Sequence, residues 1–317
     1  MSRIFIFGAG TAREISLDDF CANHREDGFA WVHLDGTDDV PVVARRIVDI
    51  PPSALSALMA AETRPRCAFF GDGALVNMRG LGEQRDGDGD PLVSIRLWAE
   101  KGRVVSLSYR KLGVLDRVIE QMLEGKLADP GDVISAIAVE ITEALDPEVA
   151  DLGDALDAIE SHLDEHGPVN TRTRVSQIRA AAISYRRFIA PQRQAVERLM
   201  AAQASWLEPD DRMHLQEAAD RCARMAEELE AVRERSALAH EGLTDLRAEH
   251  MNRQALILAI VALIFLPLTF LTGLLGMNVE GIPYAKEPWA FWGVVAFCGA
   301  ISAGVGGWFV ATNWLQR

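Results

Sequence analysis

Two uncharged apolar runs near the C-terminal end limit what this chain can become. Residues 255–275 read ALILAIVALIFLPLTFLTGLL and residues 289–311 read WAFWGVVAFCGAISAGVGGWFVA. The hydrocarbon core of a bilayer is about 30 Å thick and takes about 20 apolar residues of helix to cross. Both runs reach that length, and the second carries Trp near each end, where amphipathic rings favour the interface. A buried core helix explains one such run; two in one chain point to two membrane spans. Arg247 and Arg253 precede the first span and Arg317 follows the second, whereas the 276–288 connection offers Lys286 against Glu280 and Glu287. The positive-inside bias therefore places both termini in the cytoplasm and the connection outside, an arrangement expected of a multi-pass protein.

The net charge is −14, yet from residue 255 onward the charged side chains are Glu280, Lys286, Glu287 and Arg317, so the acidic excess lies upstream. An acidic soluble portion excludes nucleic acid as a partner, because phosphate contacts need clustered Lys and Arg, and it attracts cations instead. Cys21, Cys67, Cys222 and Cys298 are scattered without a Cys-x-x-Cys pair, which fits a reducing compartment. Residues 1–7, MSRIFIF, are too short for the apolar region of a signal peptide and read as a first strand.

Residues 1–125 read as a cytoplasmic α/β domain. Segments 3–7, 29–34, 67–70, 74–80, 92–99 and 103–109 are rich in β-branched and aromatic residues and bounded by Gly, Asp or Pro. The last two flank Glu100-Lys101-Gly102, a hairpin turn, and residues 38–48, 52–61 and 111–125 fit helices. Residues 126–254 read as helical, with Pro147 and Pro191 expected to start, end or kink a segment. Leu215, Ala218, Cys222, Met225, Leu229, Val232, Ser236, Ala239, Leu243 and Leu246 alternate spacings of three and four. This heptad seam fits a stalk helix packed in its own subunit or a coiled coil equally well by spacing. With no Pro between Asp210 and Pro267, its continuity into residues 255–275 favours a seam that leads into a pore helix, with 289–311 as a second helix. Gly293, Gly299, Gly304, Gly306 and Gly307 let that second helix approach the first. Two helices cannot enclose an aqueous path, so conduction requires several copies around one axis.

Gly276-Met277-Asn278 follows the first span directly. A Gly-Met-Asn tripeptide between two C-terminal spans resembles the CorA-type divalent-cation transporters. The continuation Val279-Glu280-Gly281-Ile282-Pro283-Tyr284 is most similar to their ZntB zinc-transporter branch, and Leu266-Pro267-Leu268-Thr269-Phe270 and Arg186-Arg-Phe-Ile-Ala-Pro-Gln-Arg193 also fit. The resemblance implies a CorA-like funnel: a homopentamer with an α/β cytoplasmic domain and long helices descending to the membrane. It implies a pore wall along Asn252, Ala255, Leu258, Ala262, Leu266 and Thr269, polar at both ends and apolar between, where a hydrophobic constriction can gate. It also implies a selectivity loop of Gly276, Met277, Asn278 and Glu280, with Asn278 as a ring that bonds the water shell of a dication. Asn278 equally suits a helix C-cap. Glu280 stands where the zinc branch usually has Gly, and a carboxylate ring there concentrates any dication.

The transported ion is expected to be zinc, with magnesium or cobalt on the same scaffold as the alternative. A membrane-anchored coiled-coil interaction protein is the alternative of another class. Uncharged spans favour a channel-like path over proton coupling. The expected partners are divalent cations, membrane lipid and further copies of the chain. His162 and His166, four apart, offer a helical metal pair, with solvated histidines as the commoner explanation. His214 and Cys222 read as core packing, and His250 with Asn252 lies at the membrane boundary. Gly8-Ala-Gly10 lacks the third glycine of a dinucleotide loop, and residues 86–90, DGDGD, lack the Gly and Glu of a calcium loop. No nucleophile–base arrangement is evident, so neither an enzyme nor a prosthetic group is expected.

Overall fold

The computed structural model describes residues 3–8, 10–16, 19–20, 28–36, 50–60, 64–83, 91–161, 168–278, 281–282, 284 and 286–314. They fall into two compact units, Met1–His240 and Glu241–Arg317. The first unit is built on a seven-stranded sheet. Its strands are β1 (Arg3–Gly8), β2 (Thr11–Ile15), β3 (Phe29–Asp35), β4 (Arg66–Phe70), β5 (Gly73–Leu81), β6 (Leu92–Glu100) and β7 (Arg103–Ser108). They lie in the order β2-β1-β3-β7-β6-β5-β4. Only the β3–β7 pair is parallel, Ala30 facing Arg103 through Asp35 facing Ser108; the other pairs are antiparallel.

Every expected strand is present within a residue or two. Lys101-Gly102 turns β6 into β7, with Gly102 at φ 79°, a left-handed conformation that a two-residue hairpin turn requires. The strand missed from sequence is β2, whose short run TAREI alternates weakly and pairs on one side only, as the sheet's outer strand. It explains Gly8 and Gly10: Gly8 faces Thr11 in register and Gly10 has φ 78°, so this is a hairpin turn and not a phosphate cradle.

One sheet face packs on the short helix α1 (Pro52–Leu58), whose Ala54 and Leu58 close over Leu34, Leu75, Trp98 and Leu107. On the other face Gly80 leaves room for Ile141, whose Cγ1 a Cβ there would meet at 2.9 Å. Within the sheet, Ser106 Oγ accepts the indole N–H of Trp31 at 2.9 Å and lies 2.8 Å from His33 Nδ1. Burial drives the His33 pKa down to about 4. Helix α2 (Leu115–Leu123) follows and stops before Gly125, φ 78°.

Three long helices complete the chain's soluble part: α3 (Pro130–Ser161), α4 (Pro168–Met200) and α5, which runs unbroken over Pro209–Leu275. Pro147 and Pro191 sit inside α3 and α4 and end neither. The heptad seam of α5 is internal. Leu215, Ala218, Cys222, Met225, Leu229, Val232 and Ser236 are at most 2% exposed in a single chain. Around it, Arg221 meets Glu143 of α3, Arg235 pairs with Asp157 and Glu160 of α3, and Glu230 pairs with Arg186 of α4. Over these residues the spacing therefore encodes packing within the subunit, which removes the support for a free coiled coil. The helix expected over residues 38–48 and the 86–90 turn lie outside the described residues.

His33 generates a prediction. Its folded pKa, about 4, is below the unfolded value of about 6.5. The unfolded chain therefore binds the extra proton between those values, and stability present above pH 6.5 is lost as pH falls toward 4. Chemical denaturation of wild type and His33→Gln at pH 7 and 4.5 should show the variant losing less, by on the order of 2 kcal/mol.

Candidate functional site

The second unit holds the two apolar spans. The first is the end of α5, with Pro267 inside it, and the second is α6 (Trp289–Trp314). Both are long and apolar enough to cross a membrane. At about 1.5 Å per residue, residues 255–275 extend about 30 Å, one hydrocarbon thickness. Along the first span Ile260, Ile264, Leu268, Leu271 and Leu275 are half-buried, a repeat of three and four that marks one helical face. On α6 the half-buried positions are Ala290, Val294, Cys298, Ile301, Ser302, Val305 and Gly306. Each helix thus carries one half-buried stripe along an otherwise exposed surface.

Of the α6 glycines, only Gly306 belongs to that stripe. A Cβ on Gly299, Gly304, Gly306 or Gly307 would meet nothing within 4 Å, so the expected close approach to the first span is absent at these positions. Medium-sized side chains, Val294, Ile301 and Val305, make up most of the α6 stripe.

Asn252, Ala255, Leu258, Ala262, Leu266 and Thr269 are all exposed, with Leu258 at 70% and Leu266 at 74%. At 100° per residue, Ala262 and Leu266 stand about 200° around the helix from Ile260 and Ile264, facing away from the half-buried stripe. The hydroxyl of Thr269 donates to the Phe265 carbonyl at 2.7 Å, and that of Thr272 to the carbonyls of Leu268 and Thr269. Their protons are thus held by the helix, leaving oxygen lone pairs outward.

Helix α5 ends at Leu275, and the Gly276 amide donates to the Thr272 carbonyl at 2.9 Å, closing the last turn. Asn278, two residues on, is exposed, and its side chain makes no hydrogen bond among the described residues. Met277 is 52% exposed beside it. Glu280, named with this loop from sequence, lies outside the described residues. Further on, Tyr284 adopts φ 57° and stacks on Trp289, ring centroids 5.2 Å apart, where α6 begins. The Ala290 amide donates to the Glu287 carbonyl, which starts that helix.

Comparison with known proteins agrees with this arrangement. The profile of the CorA family, described as CorA-like Mg2+ transporter protein, matches residues 26–311, and the chain belongs to that family. It is therefore a membrane-integral transporter of the divalent-metal class. A zinc transport protein ZntB of Pectobacterium atrosepticum is 32% identical over 289 residues, 90% of this chain and 88% of the relative. The full-length structure of CmaX superposes with a TM-score of 0.82 at 29% identity, covering 99% of this chain and 97% of that one. The CorA magnesium transporter of Methanocaldococcus jannaschii superposes at 0.80 with 16% identity, covering 98% and 97%, which shows the shared fold.

In the first unit, sequence reasoning overlooked a meeting of carboxylates. Ligand oxygens of Asp129, Asp132 and Asp211 lie within 4.8 Å of one another. Each already accepts a backbone amide at a helix start: Asp129 from Asp132, Asp132 from Ala128, and Asp211 from Glu208. The sequence signal was Asp129-Pro130 and Pro209-Asp-Asp211, acids in the first turn beside Pro. Asp211 is buried, and a Cβ on Gly131 would come 1.9 Å from its Oδ2. Burial first, then the charges of Asp129 and Asp132, raise its carboxyl pKa to about 7. His162 and His166, the metal pair considered from sequence, lie outside the described residues. His214 is half-buried. Cys222 is fully buried and its thiol is pushed up to about 12 by burial.

A raised carboxyl pKa means that the folded state keeps the proton. The associated stability is full at low pH and is lost as pH rises through about 7. Asp211→Asn retains an amide-accepting oxygen without the charge. Its thermal stability relative to wild type should therefore rise between pH 5 and pH 8, by on the order of 1–2 kcal/mol.

Proposed function

We propose that this protein carries zinc across a bacterial-type inner membrane through a pore on the axis of a homo-oligomer, with the termini in the cytoplasm and Asn278 forming the outer selectivity ring. The observation that carries the reading is the outer turn. Asn278 follows an uncharged span, is exposed, and commits its amide to nothing among the described residues. An asparagine left open at such a place suits recognition of a hydrated dication, because its carbonyl bonds the ion's waters without the grip of a carboxylate. The chain belongs to a divalent-metal transporter family, and the zinc assignment draws support from relatives named as zinc transport proteins at about 30% identity. The wall residues Leu258, Ala262 and Leu266 supply an apolar middle that gates by dewetting, between polar Asn252 and Thr269. The absence of an ionisable residue from residues 255–275 and 289–311 supports a path that needs no proton relay.

A magnesium-selective path on the same scaffold is the second reading, favoured by the Mg2+ transporter description of the family. Reconstituted liposomes loaded with a metal-sensitive dye separate the two. Zinc flux should exceed magnesium flux, and Asn278→Ala should reduce zinc flux about tenfold or more while leaving the oligomer intact. Magnesium flux without zinc flux reverses the ion assignment. Flux unaffected by Asn278→Ala removes the ring.

A further inference from the structure

The two helices packed beside the upper part of α5 carry opposite charge. Helix α3 contains nine acidic side chains and no basic one, whereas α4 contains seven arginines and a single acid, Glu197. In a chain of net charge −14, a helix this basic departs sharply from the surrounding composition. Part of the charge is used inside the chain: Glu143, Asp157 and Glu160 meet arginines of α5, Arg186 pairs with Glu230, and Arg193 pairs with Glu197.

The remainder forms two faces. On α3, Asp146, Asp151 and Asp154 are exposed and make no ion pair among the described residues. On α4, Arg172, Arg179 and Arg187 are exposed and recur every seven or eight residues, which keeps them on one side of a helix. Arg172 lies 3.3 Å from His240 and Arg187 stacks over Phe188, and neither pairs with a carboxylate among the described residues. Ile183, 47% exposed, sits in the middle of this arginine row. An aliphatic side chain at the centre of a polar patch, with charges around it, matches the layout of a surface that another protein covers.

We infer that these faces are the two halves of one contact between copies of this chain, the acidic face of α3 in one copy meeting the basic face of α4 in the next. The inference rests on the homo-oligomer proposed above and assigns its soluble contact. An anionic membrane or a polynucleotide would use the arginines alone and be repelled by the carboxylates of the adjoining helix. A second copy uses both. Because the faces are different surfaces, the contact is head-to-tail, and contacts of that kind close into rings. Exposed ion pairs contribute little each, so these rows set register and partner choice and make the assembly sensitive to salt.

The test uses the full chain in detergent, with particle mass measured by light scattering at low and high salt. Three variants are compared: Asp151→Arg with Asp154→Arg, Arg179→Glu with Arg187→Glu, and all four changes together. Each paired reversal should raise the concentration at which half the oligomer dissociates by about tenfold or more at low salt, and the fourfold variant should regain wild-type mass. That recovery excludes misfolding as the cause. Should a reversal fail to fold, Arg179→Gln with Arg187→Gln keeps the size and removes the charge, and its assembly should depend less steeply on salt than wild type. An oligomer indifferent to every reversal overturns this contact and leaves the pore reading intact. A wild-type chain that is monomeric at all concentrations overturns the pore reading and the contact with it.

Discussion

A peptide group in hydrocarbon has no water to bond, and this constraint governs the membrane unit and everything asked of it. It makes both spans helices, and it ties the hydroxyls of Thr269, Thr272 and Ser302 back to carbonyls one turn earlier. Pro267 lacks an N–H, so the rung to the Leu263 carbonyl is missing within the first span. Two helices also have too little surface to surround water. The half-buried stripes of the hairpin cover one side of each helix and leave the Leu258, Ala262 and Leu266 side open. A dication path through this unit, as proposed above, therefore needs neighbouring copies.

The soluble unit meets a different constraint, the need to bury a large sheet and a long helix in one subunit. Trp31 and Trp98 anchor the two halves of the sheet, and Ser106 satisfies the Trp31 indole and His33 together. The α5 seam is closed by α3 and α4, with charged pairs along its borders. Such pairs add register more than stability. The residues that α3 and α4 do not use inside the subunit are what remains for contacts outside it.

Much of this was legible in the residues. The strands followed from Val, Ile and aromatic runs between turn residues, and the spans from length alone. The turn after the first span was legible as Gly-Met-Asn, although its geometry was not: nothing in the tripeptide says that the Gly276 amide closes the last helical turn on Thr272. The seam misled because a spacing of three and four records only that one face of a helix is covered. It is silent on whether the cover is another chain or the same one. The glycines of α6 misled for the same reason, since small residues permit close approach without specifying the partner. Strand β2 was too polar and short to register by pattern, and Asp211 gave no sign of its burial because its neighbours in space come from a helix start about 80 residues earlier.

The depth of Cys222 has a practical bearing. Cys67 is buried as well, and both thiols are pushed up to about 12, so neither offers thiolate to an alkylating reagent in water near neutral pH. Cys298 lies within the second span, where a charged reagent does not reach. Among the described residues the chain is thus chemically quiet toward water-borne thiol probes. A single cysteine placed at Asn278, or along Leu258, Ala262 and Leu266, would stand out against that silence, and its labelling rate would map where water enters the membrane.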